Sequence, residues 1–290
     1  MSKAIATSAL VFVLTGGIGV TASSSNSAVP ATVAAVVSDT FEVGMLRVEH
    51  RGTPGRTPII FIPALFCGAW QWEREIAALS DRYDIYALTL PGFDGRPRDT
   101  GGDLMNRAAS DVSRLIVSHR IDRPIVVGHS IGGTLAVLFA ERHPHDARGT
   151  VAVEGGHPGA PTAAEREQQL AASIAPYVGL ESGRALGAAL RTNTLQYVIT
   201  STADVDSIER LADRSDPAAV VDWMRAALPL DLSPGLRSIP IPLTEIVPSD
   251  SVIDPYRGFA SETAKRAACE KWLAHAPHGS VTMIPHPATS

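Results

Sequence analysis

The sequence predicts an α/β protein with a mostly parallel sheet flanked by helices. Three observations carry that prediction. From about residue 39 onward, short β-branched runs alternate with longer amphipathic ones, the pattern of strands alternating with crossover helices. One segment, about 155–237, breaks the alternation with four stretches of helical spacing and no strand between them. An apolar run at 124–128 passes directly into a Gly-rich turn and then into a helical pattern.

Taken in order, the elements begin with an N-terminal segment unlike the rest. Lys3 supplies a positive start, Ala4 to Val20 is uncharged and mostly apolar, and Val20-Thr21-Ala22 offers small residues for cleavage. Residues 1–22 therefore read as an export signal, which places the mature chain in the periplasm or outside the cell. No later apolar run is long enough to cross a bilayer, so no stable membrane insertion is expected after cleavage. The Ser/Ala/Thr/Val-rich stretch 23–38 reads as a flexible leader to a domain at 39–290. Within that domain, strands are expected at about 41–50, 58–62, 84–90, 124–128, 149–154, 242–247 and 280–285. Helices are expected at about 70–79, 103–118, 131–143 and 261–274, with further helical stretches at 162–175, 181–196, 203–213 and 217–227. These last four form a helical insertion, about 156–236, between two strands of one sheet.

Composition narrows the function classes. The 290 residues are 45% hydrophobic and 19% charged with a net charge of −5, which fits a folded globular chain and not a disordered one. The 25 basic residues form no run, which argues against a nucleic-acid surface. Cys67 and Cys269 are too few for a disulfide scaffold or a Cys-rich zinc site. An exported chain would permit one bond between them, but they fall in elements expected to lie apart. His143-Pro144-His145 carries ligand-type residues without a third ligand nearby, and a helix end explains it, so no metal and no cofactor are expected.

The most informative residues are Ile125-Val126-Val127-Gly128-His129-Ser130-Ile131-Gly132-Gly133-Thr134. Small residues flank Ser130 because the chain must turn sharply from strand to helix, where a side chain at Gly128 or Gly132 would collide with the turn. The serine oxygen is then held at the carboxyl edge of the sheet, beside the positive end of the next helix. Neither a G-x-x-x-x-G-K-[ST] nor a G-x-G-x-x-G pattern accompanies it, so a phosphate loop is disfavoured.

On these residues the chain resembles the α/β-hydrolase superfamily, of the serine esterase or lipase type with a helical cap, over about residues 40–288. Ile59-Ile60-Phe61-Ile62-Pro63-Ala64-Leu65, Gly68 and Trp70-Gln71-Trp72 resemble the family's strand, oxyanion loop and helix, with Pro63-Ala64 where His-Gly is usual. Leu88-Thr89-Leu90-Pro91-Gly92-Phe93-Asp94-Gly95 resembles its next strand and Pro-Gly-Phe-Gly loop, with Asp94 as an extra residue. The resemblance implies Ser130 as nucleophile and the backbone N–H groups of Leu65 and Ile131 as the oxyanion hole.

The acid and the base are less sharply marked. The family's acid follows the strand after the insertion, where the usual spacing lands on Ser251 and on neither Asp250 nor Asp254, and some relatives carry it at the position of Glu154. Asp250 is the first choice, with Asp254 and Glu154 as alternatives. Ligand-edge topology leaves His129, His157 and His286 as possible bases, since loops after strands line that edge. His286 follows the last strand, where the family's His comes from. Relatives continue through several more residues and a closing helix, whereas this sequence stops at Ser290. A frame shortened before its last helix, with the true His beyond Ser290, is therefore expected as the alternative to His286.

These residues imply a serine hydrolase acting on a small carboxylic ester or related acyl substrate. A cofactor-free perhydrolase, lactonase or amidase would use the same residues. A catalytically silent hydrolase-fold binding protein is the reading from another class. A haloalkane dehalogenase is disfavoured, because it would carry an aspartate in place of Ser130.

Overall fold

The computed structural model describes residues 39–157, 159–195, 199, 201–249, 254 and 259–285. The expected signal and leader, residues 1–38, lie outside the described residues, as do Asp250 and His286. No helix among the described residues is long and apolar enough to cross a membrane.

The described strands form one eight-stranded sheet in the order β1-β2-β4-β3-β5-β6-β7-β8. The expected strand at 41–50 divides into β1, Asp39–Val43, and β2, Leu46–Gly52. Gly44, at φ 56°, turns the chain between them into an antiparallel hairpin, a conformation that glycine adopts without a Cβ clash. β2 pairs antiparallel with β4, Tyr83–Thr89, and every later pairing is parallel. The parallel part comprises β3, Thr57–Ile62; β4; β5, Ile125–His129; β6, Gly149–Val153; β7, Leu243–Ser249; and β8, Gly279–Pro285.

Two-residue periodicity sends the side chains of β3 to opposite faces. Ile60 and Ile62 join the larger core with α2, Leu104–Ser118, and α3, Ile131–Arg142, while Ile59 and Phe61 pack with Trp72 and Ile76 on the other face. Each fully buried aliphatic chain contributes about 1.5–3 kcal/mol relative to exposure. That is why β3 reads as a continuous apolar run. Ile76 lies on α1, Glu73–Leu79, which follows the 3-10 turn Ala69–Trp72. The helix α3 is buried nearly all round, from Ile131 and Leu135 to Ala140, as a helix clamped between sheet and neighbours must be.

Between β6 and β7 the chain forms α4, Ala163–Ile174; α5, Gly183–Leu190, continued by a π-helical turn Arg191–Leu195; α6, Thr202–Ala212; and α7, Pro217–Ala227. Side-chain oxygens of Thr162, Ser182, Ser201 and Asp216 accept first-turn N–H groups, which fixes where each of these helices starts. The final described helix, α8, Glu262–Leu273, packs on β7 and β8.

β3 lies between β4 and β5, so successive crossovers leave it in opposite directions. The carboxyl ends of β3 and β5 therefore bound the crevice of a topological switch point, the usual place for a ligand in such a sheet.

Candidate functional site

Two loops meet at that crevice. The first is the turn from β5 into α3. Ser130 holds φ 54° and ψ −117°, outside the regions L-residues normally occupy. Such a residue stores about 1–3 kcal/mol and persists only where its surroundings over-determine it. Here the Ser130 N–H donates to Val153 O at 2.8 Å, and Ser130 O accepts the Thr134 N–H at 2.9 Å. The glycines around this turn are needed by contact. A Cβ on Gly128 would lie 2.0 Å from Gly132 O, and one on Gly155 would lie 2.3 Å from Ser130 O.

The second loop, 63–68, follows β3. A Cβ on Gly132 would stand 2.5 Å from both Ile62 O and Pro63 O, so this loop rests directly on the turn at Ser130. The Ala64 N–H donates to Gln71 Oε1 at 2.7 Å, and Gln71 Nε2 is 2.6 Å from His129 Nδ1. Phe66 takes a left-handed φ of 56°. Among the described residues no acceptor takes the Leu65 N–H. The Ile131 N–H belongs to the first turn of α3, whose N–H groups have no intrahelical partner and carry the positive end of the helix dipole. The Leu65 side chain is itself buried, so one residue serves the core and offers a main-chain donor.

The two described carboxylates read from the sequence as alternative acids converge on a lysine. Lys265 Nζ, on α8, is 3.0 Å from Glu154 Oε1, 3.0 Å from Asp254 Oδ1 and 2.6 Å from Pro248 O. The Lys265 residue is 4% exposed, and the Glu154 and Asp254 side chains are 10% and 3% exposed. Beside them Glu245, central in β7 and fully buried, has its carboxyl pushed up by burial, with the nearby charge of His157 opposing the rise. His157 Nε2 lies 3.8 Å from Glu245 Oε1, so this histidine faces the β7 carboxyl. Lys265 is one of three lysines in the chain and sits in an ordinary amphipathic helix pattern. Nothing local in the sequence marks it. Gln71, between two tryptophans, carries only a faint signal of the same kind.

Both cysteines are buried and free, Cys67 in the loop after β3 and Cys269 on α8. Burial pushes the Cys67 thiol up, and the nearby charge of Asp94 adds to the rise. Two open surface clefts of about 410 Å³ each are lined chiefly by charged residues between 98 and 114 and on α7. Asp99 pairs with Arg107 there, and Asp111 with Arg114, so these clefts are salt-bridged surface away from Ser130.

A model described as the alpha/beta hydrolase family matches residues 59–289. A 2-succinyl-6-hydroxy-2,4-cyclohexadiene-1-carboxylate synthase of Serratia proteamaculans is 28% identical over 210 residues, covering 70% of this chain and 81% of that one. The 1-acylglycerol-3-phosphate O-acyltransferase ABHD5 of Rattus norvegicus is 29% identical over 140 residues, covering 47% of this chain and only 37% of its own length. Among solved structures, an enol-lactonase of Burkholderia xenovorans superposes with a TM-score of 0.64 at 17% identity, covering 85% of this chain and 91% of the other. A bromoperoxidase of Bacillus anthracis gives 0.66 at 16% identity, covering 83% and 87%. At these identities the structural likeness concerns the fold.

Proposed function

The chain belongs to the alpha/beta hydrolase family, and from that premise we propose that it is a serine hydrolase cleaving a carboxylic ester or related small acyl compound. The observation that carries the reading is the conformation of Ser130: a strained serine at the head of a buried helix, with the Leu65 and Ile131 N–H groups nearby in the chain fold and unclaimed.

In this mechanism Ser130 Oγ attacks the acyl carbon while His286 takes its proton. Negative charge collects on the former carbonyl oxygen, and the Leu65 and Ile131 N–H groups donate to it. Each such donor is worth about 3–4 kcal/mol in the transition state. His286 then protonates the leaving group. Water, activated by the same histidine, attacks the acyl-Ser130 ester and regenerates the serine. Asp250 orients His286. The engagement of both Glu154 and Asp254 by Lys265 supports that assignment, because a carboxylate committed to a buried ammonium is a poorer partner for an imidazolium.

The helices between β6 and β7 would shape the acyl or alcohol pocket. We also propose that residues 1–22 are removed during export to the periplasm or medium, and that the partner is a small acyl substrate and not a nucleic acid.

The test is labelling of the folded, full-length protein with a fluorophosphonate probe. Wild type should be labelled at Ser130, and Ser130→Ala should not. Folded wild-type protein that resists the probe would overturn the enzyme reading in favour of a silent binding protein.

A further inference from the structure

The Leu65 N–H is offered from a loop that has no helix or strand of its own, so side chains must hold it. Among the described residues Gln71 and Ser215 do so, one on each side of Leu65. On the N-terminal side the Ala64 N–H is taken by Gln71 Oε1, and the same amide donates through Nε2 to His129 Nδ1. That bridge joins the loop to the residue just before Ser130. On the C-terminal side the Phe66 carbonyl accepts from Ser215 Oγ at 2.9 Å, and Ser215 Oγ accepts the Asp94 N–H at 3.2 Å.

Ser215 lies in the turn between α6 and α7, within the insertion, and is 3% exposed. Its turn is laced to the 91–95 loop. The Gly95 N–H donates to Arg214 O and the Asp216 N–H to Gly92 O, each at 2.7 Å, while the Arg214 guanidinium pairs with the Asp94 carboxylate. That carboxylate lies over Gly68, where a Cβ would come within 2.6 Å of Asp94 Oδ2. Asp94, the extra residue of the Pro-Gly-Phe loop, thus joins the insertion to the far end of the 63–68 loop.

We propose that Gln71 and Ser215 are positioning residues for the oxyanion hole, and that Ser215 makes the hole contingent on the seating of the insertion. The inference rests on the serine hydrolase reading above. The residues on either side of Leu65 are tied in opposite directions, Ala64 through its N–H toward the turn at Ser130 and Phe66 through its carbonyl to the insertion, and the Leu65 N–H between them is left for a ligand. The oxyanion exists only in the transition state and in the tetrahedral intermediates beside it. A loop released at either anchor therefore loses kcat while substrate binding is retained. A displacement of about 1 Å suffices for a large loss.

The experiment measures p-nitrophenyl butyrate hydrolysis and the second-order rate of fluorophosphonate labelling on the full chain. Ser215→Ala and Gln71→Met should each lower kcat and the labelling rate about 10- to 100-fold, with KM within about twofold. Ser215→Cys, which keeps the volume but offers only a weak donor, should fall the same way if the alanine variant does not fold. Gln71→Glu should recover much of the loss, because its carboxylate still accepts the Ala64 N–H and the other His129 tautomer can donate to it. Ser113→Ala removes a hydrogen bond that touches neither the 63–68 loop nor the insertion, Ser113 Oγ to Asp146 Oδ2 at 2.6 Å, and should leave kcat unchanged.

The proposal is overturned if folded Ser215 and Gln71 variants keep wild-type kcat, if their effect falls on KM alone, or if Ser113→Ala lowers kcat equally. Each of those results leaves the enzyme reading intact, provided wild type is labelled at Ser130. Wild type that is neither labelled nor active on the ester overturns the enzyme reading and this proposal together.

Discussion

Replacing Lys265 by methionine is the sharpest probe of the buried ion group on α8. Methionine retains the apolar stem but deletes an ammonium that touches Glu154, Asp254 and the Pro248 carbonyl. The two carboxylate side chains, 10% and 3% exposed, would lose that cation while remaining out of water. Removing one partner of a buried ion group costs about 3–5 kcal/mol. In a domain of this size each kcal/mol corresponds to about 2–4 °C, so Lys265→Met should melt roughly 6–20 °C below wild type. The companion variant carries Glu154→Gln and Asp254→Asn as well. Neutralising a whole buried ion group is often close to neutral, so this triple variant should regain most of the loss. Urea denaturation at pH 7, with calorimetry alongside, measures both. A single variant within about 0.5 kcal/mol of wild type, or a triple variant no more stable than the single one, would refute the reasoning.

Two further predictions concern the sheet and the turn. Burial raises the Glu245 carboxyl, so the unfolded chain releases this proton at a lower pH than the folded one. Its contribution is therefore most favourable below the unfolded carboxylate range and is lost as pH rises toward the raised folded value. Glu245→Gln should flatten stability against pH across that window and melt higher than wild type at pH 7. His157, Cys269, Glu154 and Lys265 surround the site, and a variant less stable at pH 7 would mean that the charge pair with His157 outweighs burial. Gly132→Ala would drive a methyl to 2.5 Å from two backbone carbonyls. It should cost about 1–3 kcal/mol or more and reduce phosphonate labelling, whereas Gly102→Ala, with open space around it, should stay within about 0.5 kcal/mol in a chemical denaturation series.

Much of the fold was legible because its signals are local. The apolar runs of β3, β5 and β7 and the amphipathic pattern of α2 follow from burial on one or both faces, and periodicity reports burial directly. The division of the strand expected at 41–50 was missed although Gly44 stood inside it. An isolated glycine in a strand pattern also fits a bulge, and only pairing partners tell a hairpin from a bulge. The turn at Ser130 was legible for a different reason. Its glycines answer to clashes within a few residues, as at Gly128 against Gly132, so the constraint is written where it acts.

By itself, the sequence determined the family, the strand order's raw material and the serine at the turn, because each depends on residues close together in the chain. Tertiary structure alone decided the partnerships that cross it. Lys265 reaches Glu154 across 111 positions, Ser215 reaches Phe66 across 149, and Gln71 reaches His129 across 58. A buried charge or hydroxyl must find a partner wherever the fold has brought one, and no local spacing records which segment that will be.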